Sequence, residues 1–125
     1  MSTRSVAEGL VAFCNQGQFD QAIEKYYDQN IVSVEAPCGG ETPFPQIIEG
    51  LEGVLAKNKW WIENHDVHSC TLNGPHLSDD RFAVLFDMDV TFKPASQRMQ
   101  LCEIAVYTVK DDKIIREEFF YTMPE

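Results

Sequence analysis

Between positions 82 and 92 every second residue is apolar: Phe82, Val84, Phe86, Met88, Val90 and Phe92. Successive side chains of a strand point to opposite faces, so this alternation predicts one half-buried strand. Positions 99–109 repeat the pattern with Met99, Leu101, Ala105, Tyr107 and Val109. The intervening segment 93–98, which contains Pro94 and Ser96, reads as a turn. A hairpin with Ala95 and Ser96 at its tip pairs Phe92 with Met99, Val90 with Leu101, Phe86 with Ala105, Val84 with Tyr107 and Phe82 with Val109. It also sets Met88 opposite Glu103. Glu103 is then a carboxylate on an otherwise apolar face, which is costly unless it is paired or protonated. That makes it the first candidate for chemistry: an acid/base group whose neutral form is favoured by desolvation. The alternative is a carboxylate that reaches a cavity mouth or pairs with an Arg.

The rest of the chain divides in the same way. Ser5 and Glu8 have capping-box spacing. Val6, Leu10, Phe13 and Cys14 follow at helical intervals until Gly17. A second helix is predicted from about Asp20, with Phe19, Ala22, Ile23 and Tyr26 on one side. Positions 31–35 read as a short strand, and 36–45, with three Pro and two Gly, as a loop. Positions 46–64 read as a third helix with an apolar stripe of Leu51, Val54, Leu55, Trp61 and Ile62. A strand at 67–72, a turn at 73–76, the hairpin above and a last strand at 114–122 complete the chain. Helices followed by a run of antiparallel strands predict an α+β fold, one domain over 1–125, with helices covering one face of a curved sheet. Such a cone encloses a pocket.

Loop length in the last hairpin decides which acid joins Glu103. A three-residue loop pairs Val109 with Lys113, sets Glu117 opposite Ala105, and turns Ile115, Phe119 and Tyr121 inward. A two-residue loop turns Arg116 and Glu118 inward instead. Asp112 stands where the longer loop usually has Gly, and Asp tolerates the left-handed conformation better than most residues. The longer loop, with Glu117 as second acid, is therefore the expectation. Asp87 and Asp89 have the look of paired carboxylates, but alternation puts them on the outer face with Leu85, Ile104 and Val106. His65 and His68 have metal-pair spacing, yet they sit where helix gives way to strand and have no third ligand nearby, so a solvent-exposed or supporting role is expected. Trp61 is expected in the core and Trp60 at the pocket. Of Tyr26, Tyr27, Tyr107 and Tyr121, parity favours the last two as pocket donors.

Composition narrows the function. The formal net charge of -10 and scattered Lys and Arg argue against nucleic acid and anionic membranes. No apolar run approaches a membrane span or a signal peptide, so a cytoplasmic location is expected. Cys14, Cys38, Cys70 and Cys102 form no Cys-x-x-Cys and are expected to be small buried thiols. With no Gly-rich phosphate loop or ligand cluster, no metal or cofactor is expected.

Several segments carry a family resemblance. These are Asn15-Gln16-Gly17 followed by Phe19-Asp20, then Val34-Glu35-Ala36-Pro37, Ile48-Glu49-Gly50 and Phe82-Ala83-Val84. The Gln97-Arg98-Met99 turn exit and 109–114 leading to Glu118-Phe119-Phe120-Tyr121 complete the set. In order and spacing the chain resembles the nuclear transport factor 2-like superfamily and, within it, the SnoaL-like and ketosteroid isomerase-like proteins. The resemblance implies a cone-shaped, cystatin-like fold and, commonly, a homodimer through the outer sheet face, here Leu85, Asp87, Asp89, Ile104 and Val106. Fold alone does not fix activity, since the superfamily holds isomerases, cyclases, hydrolases and non-catalytic binders. Ketosteroid isomerases use an Asp base, a Tyr donor and a protonated Asp in an apolar site. The corresponding positions for the first two are Ala36 and Leu10, so the steroid mechanism is not expected. Only the late-strand acid, within two residues of Glu103, has a counterpart. The resemblance and the residues together imply an apolar pocket lined by some of Trp60, Met88, Leu101, Tyr107, Phe119 and Tyr121, taking a small hydrophobic molecule. If the protein is an enzyme, Glu103 moves a proton next to a carbonyl in an isomerase- or cyclase-type step. The alternative is a non-catalytic binding or assembly module.

Overall fold

The computed structural model describes residues 2–37 and 42–122. Helix α1 spans Thr3–Asn15 and starts a turn earlier than Ser5: Ser2 is the N-cap, and Ser2 and Ser5 bond each other reciprocally. Ser5 therefore takes the position expected of Glu8, and the helix buries Val6, Ala7, Leu10, Val11 and Cys14. After Gly17, which adopts φ +71°, helix α2 covers Phe19–Tyr26 and runs directly into strand β1, Tyr27–Val34.

Two predicted boundaries change in the next stretch. Ile47–Glu49 forms a short strand, β2, paired antiparallel to β1, rather than the first turn of the third helix. Gly50, at φ +97° and ψ 149°, turns the chain out of β2 into helix α3, Leu51–Asn64. Only glycine adopts that backbone conformation readily, so the helix cannot extend back through it. Ile62, predicted on the apolar stripe of α3, is instead exposed at its outer side.

Strand β3, His65–Ser78, is continuous through the predicted turn at 73–76, where it carries a cis Gly74–Pro75 peptide and a register shift. Strands β4 (Arg81–Phe92), β5 (Gln97–Lys110) and β6 (Lys113–Phe120) follow. The sheet order is β2-β1-β6-β5-β4-β3. Every pairing is antiparallel except that of β1 with β6, which is parallel. α1 lies against β3, β4 and β5, and α3 against β1, β2 and β3.

The β4–β5 register differs from the predicted one by two residues. Phe92 pairs with Gln97, Val90 with Met99, Met88 with Leu101 and Phe86 with Glu103. Lys93–Ala95 makes a turn of 3-10 helix, and Ser96 adopts the left-handed conformation that closes it, so the loop is longer than a two-residue tip. A shift of two preserves which face each side chain occupies. Phe82, Val84, Phe86, Met88, Val90, Met99, Leu101, Ala105, Tyr107 and Val109 are all buried as the alternation predicts.

The last hairpin corrects the predicted loop but keeps its consequence. Lys110 pairs with Lys113, which leaves a two-residue loop of Asp111 and Asp112, both with positive φ. A primed turn of this kind needs two such residues. A bulge between Thr108 and Val109 on the pairing register then places Arg116 opposite Thr108 and Glu117 opposite Tyr107. The extra residue switches parity. Ahead of the bulge the two-residue loop buries Ile114 rather than Ile115, and beyond it Glu117, not Arg116 or Glu118, faces inward. The thiols are not uniformly buried either: Cys14 is buried, Cys70 is half-buried, and Cys102 is exposed on the outer face, while Cys38 lies outside the described residues.

Candidate active site

Inner-face residues of the sheet, closed over by the helices, line a cavity of about 630 Å³. Glu103 reaches it from β5 and Glu117 from β6; Met88, Leu101, Tyr107, Phe119, Tyr121 and, from α3, Trp60 line it as well. Thus all eight sequence-derived candidates come together in one space. Trp61 lines the same cavity instead of lying wholly in the core.

Register builds the polar end. Glu117 stands opposite Tyr107 on β5 and beside Ser33 on the parallel strand β1. Ser33 Oγ donates to Glu117 Oε2 at 2.7 Å, and the Tyr27 hydroxyl donates to Glu117 Oε1. Lys57 Nζ, from α3, donates to Ser33 Oγ and to Glu35 Oε2, each at 3.0 Å. The Tyr121 hydroxyl donates to Glu35 Oε1 at 2.7 Å. One ammonium therefore holds two side chains of a continuous buried network. Among the described residues no buried side-chain nitrogen or oxygen lacks a partner. This is the condition under which buried polar groups are tolerated.

The two acids sit differently in that network. Burial pushes the Glu117 carboxyl up, while the charge of Lys57 and the hydroxyls of Tyr27 and Ser33 pull it back. Glu103 accepts no hydrogen bond from the described residues. Burial, with the carboxylates of Glu35 and Glu117 nearby, pushes it up to about 8, against a smaller opposing pull from Lys57. It is thus mostly neutral near pH 7 and still able to ionise under mild conditions, the state expected of a proton-transfer group. Burial, together with Glu117, holds the Tyr27 and Tyr107 hydroxyls well above the usual tyrosine value, so both remain protonated. Burial likewise pushes Cys14 up to about 12, which leaves an unreactive thiol.

Other candidates lie elsewhere. Asp87 and Asp89 are on the outer face: Asp87 accepts from Gln100, and Arg98 grips Asp89 at 3.0 and 2.8 Å. His68 is exposed and shares a hydrogen bond with Thr91 at 2.7 Å, and His76 is exposed beside Asn73. His65 is half-buried rather than solvent-exposed, and it is one of the residues that line the cavity. Among the described residues no group of His, Cys, Asp and Glu is arranged to hold a metal ion. No helix there is long and apolar enough to cross a membrane.

Three residues of the network, Ser33, Glu35 and Lys57, stand outside the sequence-derived set, and Tyr27 stands in it only as a possible donor ranked below Tyr107 and Tyr121. Their signals were periodic. Tyr27, Ile31, Ser33 and Glu35 share one parity on and just after β1. Lys57 lies three residues after Val54 and four before Trp61, on the inner side of α3.

The model of the SnoaL-like domain matches residues 1–121. This chain belongs to the SnoaL-like family. A protein from Mesorhizobium loti that carries the name SnoaL-like polyketide cyclase, with carbohydrate phosphatase beside it, is 37% identical; the match covers 97% of this chain and 100% of that one, with a TM-score of 0.89. More distant structures share the fold alone. A cystatin-like protein of unknown function from Xanthomonas campestris is 12% identical over 98% of this chain and 92% of that one, with a TM-score of 0.78. An NTF2-like protein from Burkholderia thailandensis is 15% identical over 97% and 91%, also at 0.78. Among curated proteins none matches the chain in sequence. Membership of the SnoaL-like family is therefore shown, and the α+β cone is the fold this protein shares with the NTF2-like and cystatin-like structures.

Proposed function

We propose that this SnoaL-like protein binds a small hydrophobic carbonyl compound and moves a proton on the carbon next to the carbonyl, without a cofactor. The observation that supports this most is Glu103, an unbonded carboxyl pushed up to about 8 in the wall of a ligand-sized cavity. Glu103 takes the proton when ionised and returns it when neutral, so one side chain serves both halves of an isomerisation or ring closure. Tyr107, held protonated, and the Lys57 ammonium supply the polar surroundings in which negative charge can develop on the ligand oxygen, while the Tyr27 proton is held by Glu117. The name carried by the Mesorhizobium loti protein, polyketide cyclase, is consistent with a carbonyl substrate.

The test is deuterium exchange at the α-carbon of 2-tetralone in heavy water, followed by proton NMR. Wild type should accelerate exchange, with a rate that rises through about pH 8 as Glu103 ionises. Glu103→Gln should lose about 100-fold or more. Equal rates for the two proteins would sink the proton-transfer role.

A second reading, a binding module without chemistry, is favoured by Leu10 and Ala36. Both are buried apolar residues of the cavity wall at the positions where ketosteroid isomerases have their Tyr and Asp. Binding of 2-tetralone without exchange is its expected signature.

The same reading includes a homodimer through the outer sheet face. Ile104 and Phe120 are paired on adjacent strands there and are about half exposed, next to Leu85 and Val106. Sedimentation of the intact chain should give twice the monomer mass, and a monomer at high concentration would refute the contact.

A further inference from the structure

His65 stands at the junction of α3 and β3, and its ring has two ends in different surroundings. Nδ1 lies 2.8 Å from the carbonyl oxygen of Trp61. That carbonyl is among the last four of α3, which helix geometry leaves short of backbone partners. A carbonyl only accepts, so Nδ1 must carry the proton. Burial holds the imidazole below its ordinary pKa, which favours the neutral ring. In a neutral ring with Nδ1 protonated, Nε2 has a lone pair and can only accept.

Nothing among the described residues donates to that atom. No buried side-chain nitrogen there lacks a partner, so Nε2 is accessible rather than sealed in the core. His65 is one of the residues that line the cavity. Its surroundings are aromatic. It stacks on Trp61 at 4.2 Å and 14°, and meets Phe92 at 5.1 Å and Trp60 at 6.2 Å. Trp60 in turn contacts Phe44 at 6.2 Å, edge to face. Phe92 is the strand partner of His65, six residues along β4 from Phe86, the partner of Glu103. At about 3.3 Å per residue the two partners are separated by about 20 Å along the strand, so His65 marks the end of the cavity away from Glu103.

We infer that His65 is a specificity residue of a second, aromatic subsite, where Nε2 accepts a hydrogen bond from a hydroxyl group on a flat ring of the ligand. Trp60, Phe92 and Phe44 supply the faces and edges against which such a ring packs. The helix-end carbonyl fixes the tautomer, so the subsite distinguishes a hydroxyl from an ether or a hydrogen at the same place. A ligand that satisfies both ends is a hydroxylated aromatic at one end and a carbonyl compound at the other. The subsite rests on the reading of the cavity as a small-molecule site, but not on proton transfer at Glu103.

The experiment compares 2-naphthol with 2-methoxynaphthalene, a pair that differs in the hydroxyl proton. Binding is followed by calorimetry, and the histidine ring nitrogens are followed by 15N NMR. Wild type should bind 2-naphthol about fivefold more tightly, the worth of one net hydrogen bond. The Nε2 resonance of His65, assigned with His65→Gln, should move upfield with 2-naphthol and stay in place with the ether. His65→Phe, which keeps an aromatic face, should bind both compounds equally. The NMR shift is read on wild type, so a variant that fails to fold does not remove the test. Equal affinities in wild type, an unmoved Nε2 resonance, or failure of 2-naphthol to bind up to its solubility limit would overturn the subsite. Hydroxyl-dependent binding without exchange on 2-tetralone would leave the subsite standing and remove proton transfer. Exchange on 2-tetralone without hydroxyl preference would do the reverse.

Discussion

Glu103→Gln should stabilise the protein at alkaline pH by several kcal/mol relative to its effect in acid. The sign follows from the proton balance. In the unfolded chain Glu103 ionises near 4.5, and in the folded one at about 8. Between those values the folded state holds more protons than the unfolded one, so stability falls as pH rises through this window. Below it the carboxyl is neutral in both states and costs nothing; above it the full penalty of a buried charge is present. Each pKa unit corresponds to about 1.4 kcal/mol, so the loss is on the order of 3 to 5 kcal/mol. Gln occupies the same volume and cannot ionise, so its variant should lack this dependence. Glu117, also raised, pulls in the same direction in both proteins. Urea unfolding of wild type and Glu103→Gln across pH 4.5 to 9 reads the difference directly. Two parallel stability curves would mean that Glu103 is solvated.

Lys57→Met should destabilise the protein by about 2 to 4 kcal/mol, which is roughly 10 °C in Tm for a chain of this size. Lys57 and Glu35 keep only 15% and 20% of their side-chain surfaces exposed. Removing the ammonium leaves the Glu35 carboxylate without its cation and takes a donor from Ser33. Breaking a pair this enclosed costs more than an open surface bridge, whose loss is often below about 1 kcal/mol. Combining Lys57→Met with Glu35→Gln should recover part of the loss, because the uncompensated charge is gone. Lys57 also lowers the Glu103 and Glu117 carboxyls, so in Lys57→Met both should titrate higher than in wild type. Calorimetric melting of the single and double variants tests the first part. A change below about 1 kcal/mol would show that solvent screens the pair.

What could be read in the sequence depended on parity. The inward set on β4 and β5 follows from alternation alone and survives a register error of two, since an even shift exchanges partners without exchanging faces. That is why Glu103 was found although its partner is Phe86 and not Met88. The three-residue loop that predicts an inward Glu117 is not the loop the chain has; the two-residue turn at Asp111 and Asp112 and the bulge at β6 cancel in their effect on parity. Bulges leave little mark in sequence, because any residue can be the extra one. Ser33 and Glu35 are not legible for a different reason, which also ranks Tyr27 below Tyr107 and Tyr121 as a donor. They are polar residues on or just after β1 at positions where alternation predicts the core, and only the parallel register with β6 brings Ser33 beside Glu117. Lys57 sits on the inner side of α3, but its long stem allows its charge to be anywhere nearby, and spacing alone does not say that it is held. His65 was read by its metal spacing to His68, whereas its tautomer is set by a helix-end carbonyl visible only in the fold.

Proton transfer in this cavity depends on the state of one carboxyl, and a 13C NMR titration of the Glu103 side chain, assigned with Glu103→Gln, measures it most directly. A desolvated, poised Glu103 should show a midpoint near 8. A midpoint at or below the ordinary carboxyl value of 4.5 would mean a solvated or paired group, and proton transfer at this site would have to be abandoned for ligand binding alone.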